Sequence, residues 1–291
     1  MKFLKINEFI IKIFAFLFMT LDHIGIFLIN YSTNVFEDPM YSCGFIFRCF
    51  GRLAFPLFIL MLVEGVRHSK NCWKYLLRIS IVMSIVLISQ IIIYYFISQD
   101  IEYAYSPLID LFLCALTLIL LKRKDKYSLL SILPIAYLTF TFIVQLCESF
   151  NNIKINYFPF YIRPGYSILG LILSLLFFYS YEIVDKIAIK KGVDLIAFKE
   201  LPHYQFLINV TQILFLVLIN IAIYALTYLN LGEQTLWFNN EIQTWSMFAS
   251  ILIFFYNGKR GYNKKWFQYA SYCYFPVHII IIYFVFFLLY R

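Results

Sequence analysis

Residues 9–30 read FIIKIFAFLFMTLDHIGIFLIN, an apolar run long enough to cross a bilayer, with Asp22 and His23 set inside it. The run is continuous rather than alternating, so it spans as a helix and not as a barrel strand. An ionisable group in a membrane helix costs at least ~2.5 kcal/mol, and such a group normally faces protein or a wet cavity and has a job. A second run, CGFIFRCFGRLAFPLFILMLVEGV at 43–66, carries Arg48, Arg52 and Glu64 in the same way. These five residues are where function is to be sought.

Composition extends the reading to the whole chain. With 291 residues, 62% of them hydrophobic and 14% charged, and a mean hydropathy of +0.78, the apolar surface exceeds what one soluble core hides. The expectation is an all-α, polytopic transmembrane helix bundle of about nine spans. They fall near 9–30, 43–66, 75–97, 106–121, 127–147, 164–181, 206–230, 242–256 and 270–290. The first 30 residues have a basic start like a signal peptide but no small-residue cleavage site, and they read as a retained helix.

Charge in the gaps sets the orientation. One alternating set of gaps holds Lys2, Lys5 and Lys12, then Arg67, Lys70, Lys74 and Arg78, then Lys122 to Lys126, then Lys186, Lys190, Lys191 and Lys199, then Lys259, Arg260, Lys264 and Lys265. The opposite set offers Glu37, Asp38, Asp100, Glu102, Glu148, Glu233 and Glu241, with Lys154, Arg163 and Arg291 as its cations. With Arg48 and Arg52 set aside the split is 19 cations against 3, which places the N-terminus in the cytoplasm and the C-terminus outside. The same clustering turns the net charge of +8 into a report on topology rather than on nucleic acid, which is not an expected partner. No gap is large enough for a soluble domain, and no repeat or Gly-rich phosphate loop is visible, so residues 1–291 read as one integral-membrane domain. Six cysteines lie scattered, without CxxC or Cys/His spacing, and no metal is expected.

The buried polar groups fall at similar depth. His23 lies about 10 Å below the outer end of the first span at ~1.5 Å per residue. The second span enters from outside, so Arg48 and Arg52, four apart on one helix face, share that outer half. A carboxylate beside paired arginines reduces the cost of burying all three, and the adjacent imidazole is left for solvent and substrate. A structural ion-pair network that fixes helix register is the competing account of Asp22, Arg48 and Arg52. Histidine favours chemistry, because a neutral imidazole serves as a general base near pH 7. Neighbouring helix residues point about 100° apart, so Asp22 is as able to hold Arg52 as to touch His23. Asp110, just inside the outer end of the fourth span, is a candidate to join the group. Glu64 sits near the cytoplasmic end of its span, within reach of Arg67 or Lys70. His278 follows Pro276 in SYCYFPVH, where proline kinks the span and admits a side chain to a central cavity; packing is the equal alternative.

In order and spacing, IKIFAFLFMTLDHIG, GRLAFPLFILMLVEG, KYLLRIS, RPGYSILGLILSLLFFY and YNGKRGYNKKWFQYASYCYFPVH resemble the TraX family over nearly the whole chain. That family is named for the conjugation protein that acetylates the N-terminal amine of processed F pilin. The resemblance implies an integral-membrane N-acetyltransferase using acetyl-CoA, multi-pass in a cell membrane, the bacterial plasma membrane in particular. Lys12, Ala15 and His23, the Arg48 to Arg52 spacing, and SYCYFPVH are also similar to the membrane acyltransferases that acylate surface glycans, whose essential His sits in the place of His23 in the first span. One departure is FPVH, where the family usually has Tyr-Pro. No pilin feature is visible, so that acceptor is not carried over.

The expected mechanism follows. Acetyl-CoA, polyanionic, meets basic cytoplasmic loops, with Arg67, Lys70, Lys74 and Arg78 in one and Lys259, Arg260, Lys264 and Lys265 in another as candidate phosphate-binding groups. Ordinary positive-inside anchoring is the plainer account of each of these residues singly. His23 deprotonates an amine or hydroxyl of the acyl acceptor, and Asp22 or Arg52 orients it or stabilises the oxyanion. Arg48, Glu64, Asp110, His278, Lys259 and Arg260 are the candidate substrate- or cofactor-binding residues. The rival from another class is a transporter or flippase for an anionic lipid or metabolite, bound at Arg48 and Arg52. Such proteins usually break helices with Gly and Pro and show repeated halves, and this chain has 10 Gly, 8 Pro and no repeat.

Overall fold

The computed structural model describes residues 4–32, 38–96, 106–151, 155, 157–228 and 240–289. Among them the secondary structure is helical apart from two isolated bridges. Seven helices are long and apolar enough to cross a membrane: Glu8–Tyr31, Pro39–His68, Cys72–Ile92, Lys126–Glu148, Ile168–Lys190, Pro202–Ala225 and Lys265–Leu289. The chain is therefore a polytopic, membrane-embedded helical protein whose backbone polar groups are met within its helices. The other two expected spans, 106–121 and 242–256, correspond to a 16-residue helix and to a shorter apolar stretch, Ile242–Phe254. Of the gap charges, Lys2, Glu37, Asp100, Glu102, Lys154, Glu233 and Arg291 lie outside the described residues.

In chain order the helices are α1 (Glu8–Tyr31), α2 (Pro39–Gly51), α3 (Ala54–His68), α4 (Cys72–Phe96), α5 (Pro107–Lys122), α6 (Ile132–Asn151), α7 (Ile168–Lys190), α8 (Leu195–Lys199), α9 (Pro202–Tyr228), α10 (Asn240–Thr244), α11 (Ser250–Phe254) and α12 (Lys265–Leu289). The second expected span thus stands as one apolar stretch, Pro39–His68, interrupted by a turn between α2 and α3. Pro56 has no N–H to give the carbonyl of Arg52, four residues earlier, so the chain breaks at Arg52 and Leu53 and restarts with proline in its first turn. The sixth expected span is displaced: α7 begins at Ile168 and runs on to Lys190. Its later turns stay helical through Glu182 and Asp185 because Tyr181, Val184 and Ala188 keep a buried stripe going.

The chain divides into two compact units, one of Met1–Phe58, Tyr179–Leu229 and Phe238–Arg291, the other of Ile59–Phe178 and Asn230–Trp237. In the first unit α1 lies between α2 and α12. Its contact with α2 is close because it is made by glycines. A Cβ on Gly25 would come within 2.7 Å of the Gly44 carbonyl oxygen, and one on Gly51 within 2.3 Å of the Asp22 Cβ. A valine at position 51 is expected to push α1 and α2 apart, lowering thermal stability in detergent by about 1–3 kcal/mol; an unchanged melting curve would refute the close crossing. On its other side α1 meets α12 through Phe16 on Tyr274, with ring centroids 4.5 Å apart, and Phe27 on Phe286 at 5.1 Å. Early residues of one helix meet early residues of the other, so α1 and α12 run parallel.

The segment Ile6 to Glu8, just before and at the start of α1, is tied into the same unit. Ile6 bridges to Tyr256, its N–H donating to the carbonyl of Phe255 and its own carbonyl accepting from Asn257 N–H. The N–H groups of Glu8 and Phe9 donate to the carbonyls of Lys259 and Arg260, which close the open first turn of α1. Gly258 and Gly261, at φ 70° and 69°, permit that turn.

In the second unit α3 buries Ile59, Leu60, Leu62, Val63 and Val66 at 3% exposure or less. Lys122 of α5 donates to the carbonyls of Val66 and Arg67 at 2.8 and 3.1 Å, where α3 ends. By contrast α4 exposes Leu77, Ile81, Ile85, Ile88 and Ile92, one helical stripe suited to lipid.

Candidate functional site

The 100° between successive helix residues decides the site. Met19, Asp22 and Gly25 continue the buried stripe that starts at Ile11 and Ala15 and face α2, whereas His23 is turned to α12. Arg52, at the end of α2, donates through Nη2 to Asp22 Oδ1 at 2.7 Å, and Arg48, one turn earlier, reaches Oδ2 through Nη1 at 3.4 Å. Arg48 lies in the last turn of α2 and Arg52 is its C-cap, at the end where the helix dipole favours positive charge. Asp22 therefore holds the arginine pair, and the open choice between Arg52 and His23 as its partner resolves to Arg52.

The imidazole of His23 has a different partner. Its Nδ1 lies 3.0 Å from Nε2 of His278, and Nδ1 of His278 lies 2.8 Å from the carbonyl oxygen of Tyr274. The Tyr274 hydroxyl and Thr20 Oγ1 are 2.6 Å apart. Three spans thus bring Asp22, His23, Arg48, Arg52 and His278 together in one unit. Their side chains are partly open, those of Arg48, Asp22 and Arg52 being 22%, 19% and 11% exposed. One carboxylate meets two guanidiniums beside an imidazole, an arrangement that suits an anion or a developing oxyanion.

The remaining expected residues have partners of their own. Asp110 belongs to the second unit, where its carboxylate accepts from the backbone N–H of Gly165, Tyr166 and Ser167 at 2.5, 2.9 and 2.7 Å. It caps the approach to α7 and holds Ser167 at φ 47°, a left-handed conformation costly for a non-glycine residue. Asp110→Ala is expected to lower the stability of the detergent-solubilised protein by about 3 kcal/mol, read from thermal unfolding; a loss below about 1 kcal/mol would contradict the cap. Glu64, also in the second unit, is 4% exposed and pairs with Nε2 of His68 at 3.2 Å. Lys259 and Arg260 give their carbonyls to α1 and leave their side chains exposed. Arg67 places its guanidinium over the Phe178 ring, and Lys70, Lys74 and Arg78 are exposed. Among the described residues no three His, Cys, Asp or Glu side chains are grouped to hold a metal ion, and the six cysteines are free thiols.

A second buried network escaped the sequence reading. Arg163, counted there as an outer-gap cation, is 4% exposed. It pairs with Glu148 at 2.5 Å, donates to the carbonyls of Ile155 and Phe158, and lies over the Phe158 ring. Gln145 joins Pro164 and Ser167 below it. The signal was an arginine in the same gap as Glu148, the acid that closes the preceding span.

A membrane bundle with a partly open cluster of base, carboxylate and paired arginines defines the class: a polytopic membrane protein with a polar site inside its helices. The chain belongs to the TraX family, whose model, described as TraX protein, matches residues 8–286. No curated protein and no solved structure matches it.

Proposed function

We propose that the chain is a membrane-embedded acetyltransferase that moves an acetyl group from cytoplasmic acetyl-CoA to an amine or hydroxyl acceptor in the outer half of the membrane. The observation that carries this is the imidazole of His23 beside the Asp22–Arg52–Arg48 cluster; family membership supports it. Residues 1–291 act as one membrane domain, with the N-terminus in the cytoplasm and the C-terminus outside. The parallel course of α1 and α12 and the gap charges support that orientation.

In the proposed reaction the acceptor nitrogen or oxygen attacks the thioester carbonyl carbon and gives its proton to His23. The carbon–sulfur bond then breaks, the new carbon–nitrogen or carbon–oxygen bond remains, and the departing thiolate takes that proton from His23. Arg48, the more exposed arginine and the one with the longer bond to Asp22, is assigned to the oxyanion, and Arg52 to holding Asp22. Direct transfer is preferred to an acyl-enzyme because no Ser or Cys of the cluster is paired with His23. Lys259 and Arg260 are assigned to the phosphates of CoA. Glu64 and Asp110, engaged by groups of the second unit, are given structural parts.

The break at Arg52 and Leu53 favours a second reading, in which the arginine pair binds an anionic lipid or metabolite for transport. Detergent separates the two, because transport needs a sealed vesicle and catalysis does not. Solubilised protein, given labelled acetyl-CoA and a membrane extract as acceptor source, is expected to label that extract; label left entirely on CoA would favour transport.

A further inference from the structure

A carbonyl oxygen only accepts hydrogen bonds, so the contact between His278 Nδ1 and the Tyr274 carbonyl puts a hydrogen on that nitrogen. In a neutral imidazole the other nitrogen, Nε2, is then a bare acceptor. The hydrogen shared between the two rings therefore comes from Nδ1 of His23, and the lone pair of His23 lies on Nε2.

We propose that His278 is a positioning residue that holds His23 as the Nδ1–H tautomer, making Nε2 the atom that removes the acceptor proton. The inference rests on the reading of His23 as the base and adds which atom acts and what fixes it. When Nε2 takes up a proton, His23 keeps its Nδ1–H bond to His278 without rearrangement, and that bond becomes charge-assisted. Asp22 does not compete for this part, since its two oxygens are committed to Arg52 and Arg48.

The His278 ring is itself held. It is 5% exposed, lies parallel to the Tyr274 ring at 5.1 Å and 7°, and meets the edge of Phe275 at 5.6 Å. Tyr274 is anchored in turn by Thr20 and by stacking on Phe16. An acceptor nitrogen aimed by two further contacts is what fixing a partner's tautomer requires.

The test is nitrogen NMR on full-length protein labelled with 15N-histidine. The chain has four histidines, assignable by single substitutions. The expected result is a His23 ring protonated at Nδ1 and bare at Nε2 in the wild type. In His278→Leu the His23 ring should become a tautomer mixture, with kcat for acetyl transfer down about 10- to 1000-fold and KM for acetyl-CoA within about 3-fold. His278→Gln, which still presents an acceptor oxygen, should recover at least about tenfold of that loss. A wild-type His23 protonated at Nε2, or a His23 ring unchanged in His278→Leu, overturns the proposal. Should His278→Leu fail to fold, the wild-type spectrum and His278→Gln still decide. Should the wild type transfer no acetyl group, the function falls while the spectrum still reads the tautomer.

Discussion

His23→Gln is expected to lower kcat/KM for acetyl transfer by about 100- to 10,000-fold, the range lost when a positioned general base is removed. Glutamine fits the same helix face and can still donate to Nε2 of His278, but it has no nitrogen lone pair with which to take a proton. The α1–α12 contact rests mainly on aromatic pairs, Phe16 with Tyr274 and Phe27 with Phe286, so the variant is expected to fold. The melting temperature should therefore stay near that of the wild type while turnover collapses. Initial rates with labelled acetyl-CoA, set beside a melting curve, check both halves; turnover within about threefold of wild type removes His23 from the chemistry.

Asp22→Ala is expected to act the other way, on folding first. It strips the shared carboxylate from two guanidiniums inside a membrane bundle, and truncating one partner of a buried ion pair costs about 3–5 kcal/mol. The loss should appear as a lower melting temperature and poor recovery from detergent. Adding Arg52→Leu to Asp22→Ala should restore part of the stability, because the harm comes from the stranded charge rather than from the missing contact. A double variant whose loss equals the sum of the single losses would contradict the ion-pair account. Activity should stay low in both, since one lacks the arginine's partner and the other lacks the arginine too.

Much of this was legible in the residues. Continuous apolar runs predict helical spans, and an Asp, a His and two Arg inside the first two of them predict a polar cluster, because burial without partners is too costly in lipid. Charge left the partner of Asp22 open between Arg52 and His23, and the turn of α1 toward α2 decides it. The partner of His23 was not legible: hydrogen bonding between two neutral rings has no sequence period, and Tyr274, Pro276 and His278 read equally well as packing. The partners of Asp110 were hidden for a related reason. A buried carboxylate needs donors, and donors from the backbone of Gly165, Tyr166 and Ser167 leave no trace in side-chain identity. The break in the second span was legible at Pro56, although a continuous hydropathy run conceals it.

The glycines link the fold to the site. Gly25, Gly44 and Gly51 let α1 approach α2 closely enough for Asp22 to reach Arg48 and Arg52, while the same helix offers His23 to α12. One helix thereby serves a charge cluster and a base on adjoining faces.

The most direct measurement uses proteoliposomes holding wild-type or His23→Gln protein and a membrane-extract acceptor, with labelled acetyl-CoA supplied at the cytoplasmic face. The account predicts acetyl label covalently on the acceptor with the wild type and background label with His23→Gln. Equal labelling by the two proteins, or none by the wild type, would contradict it.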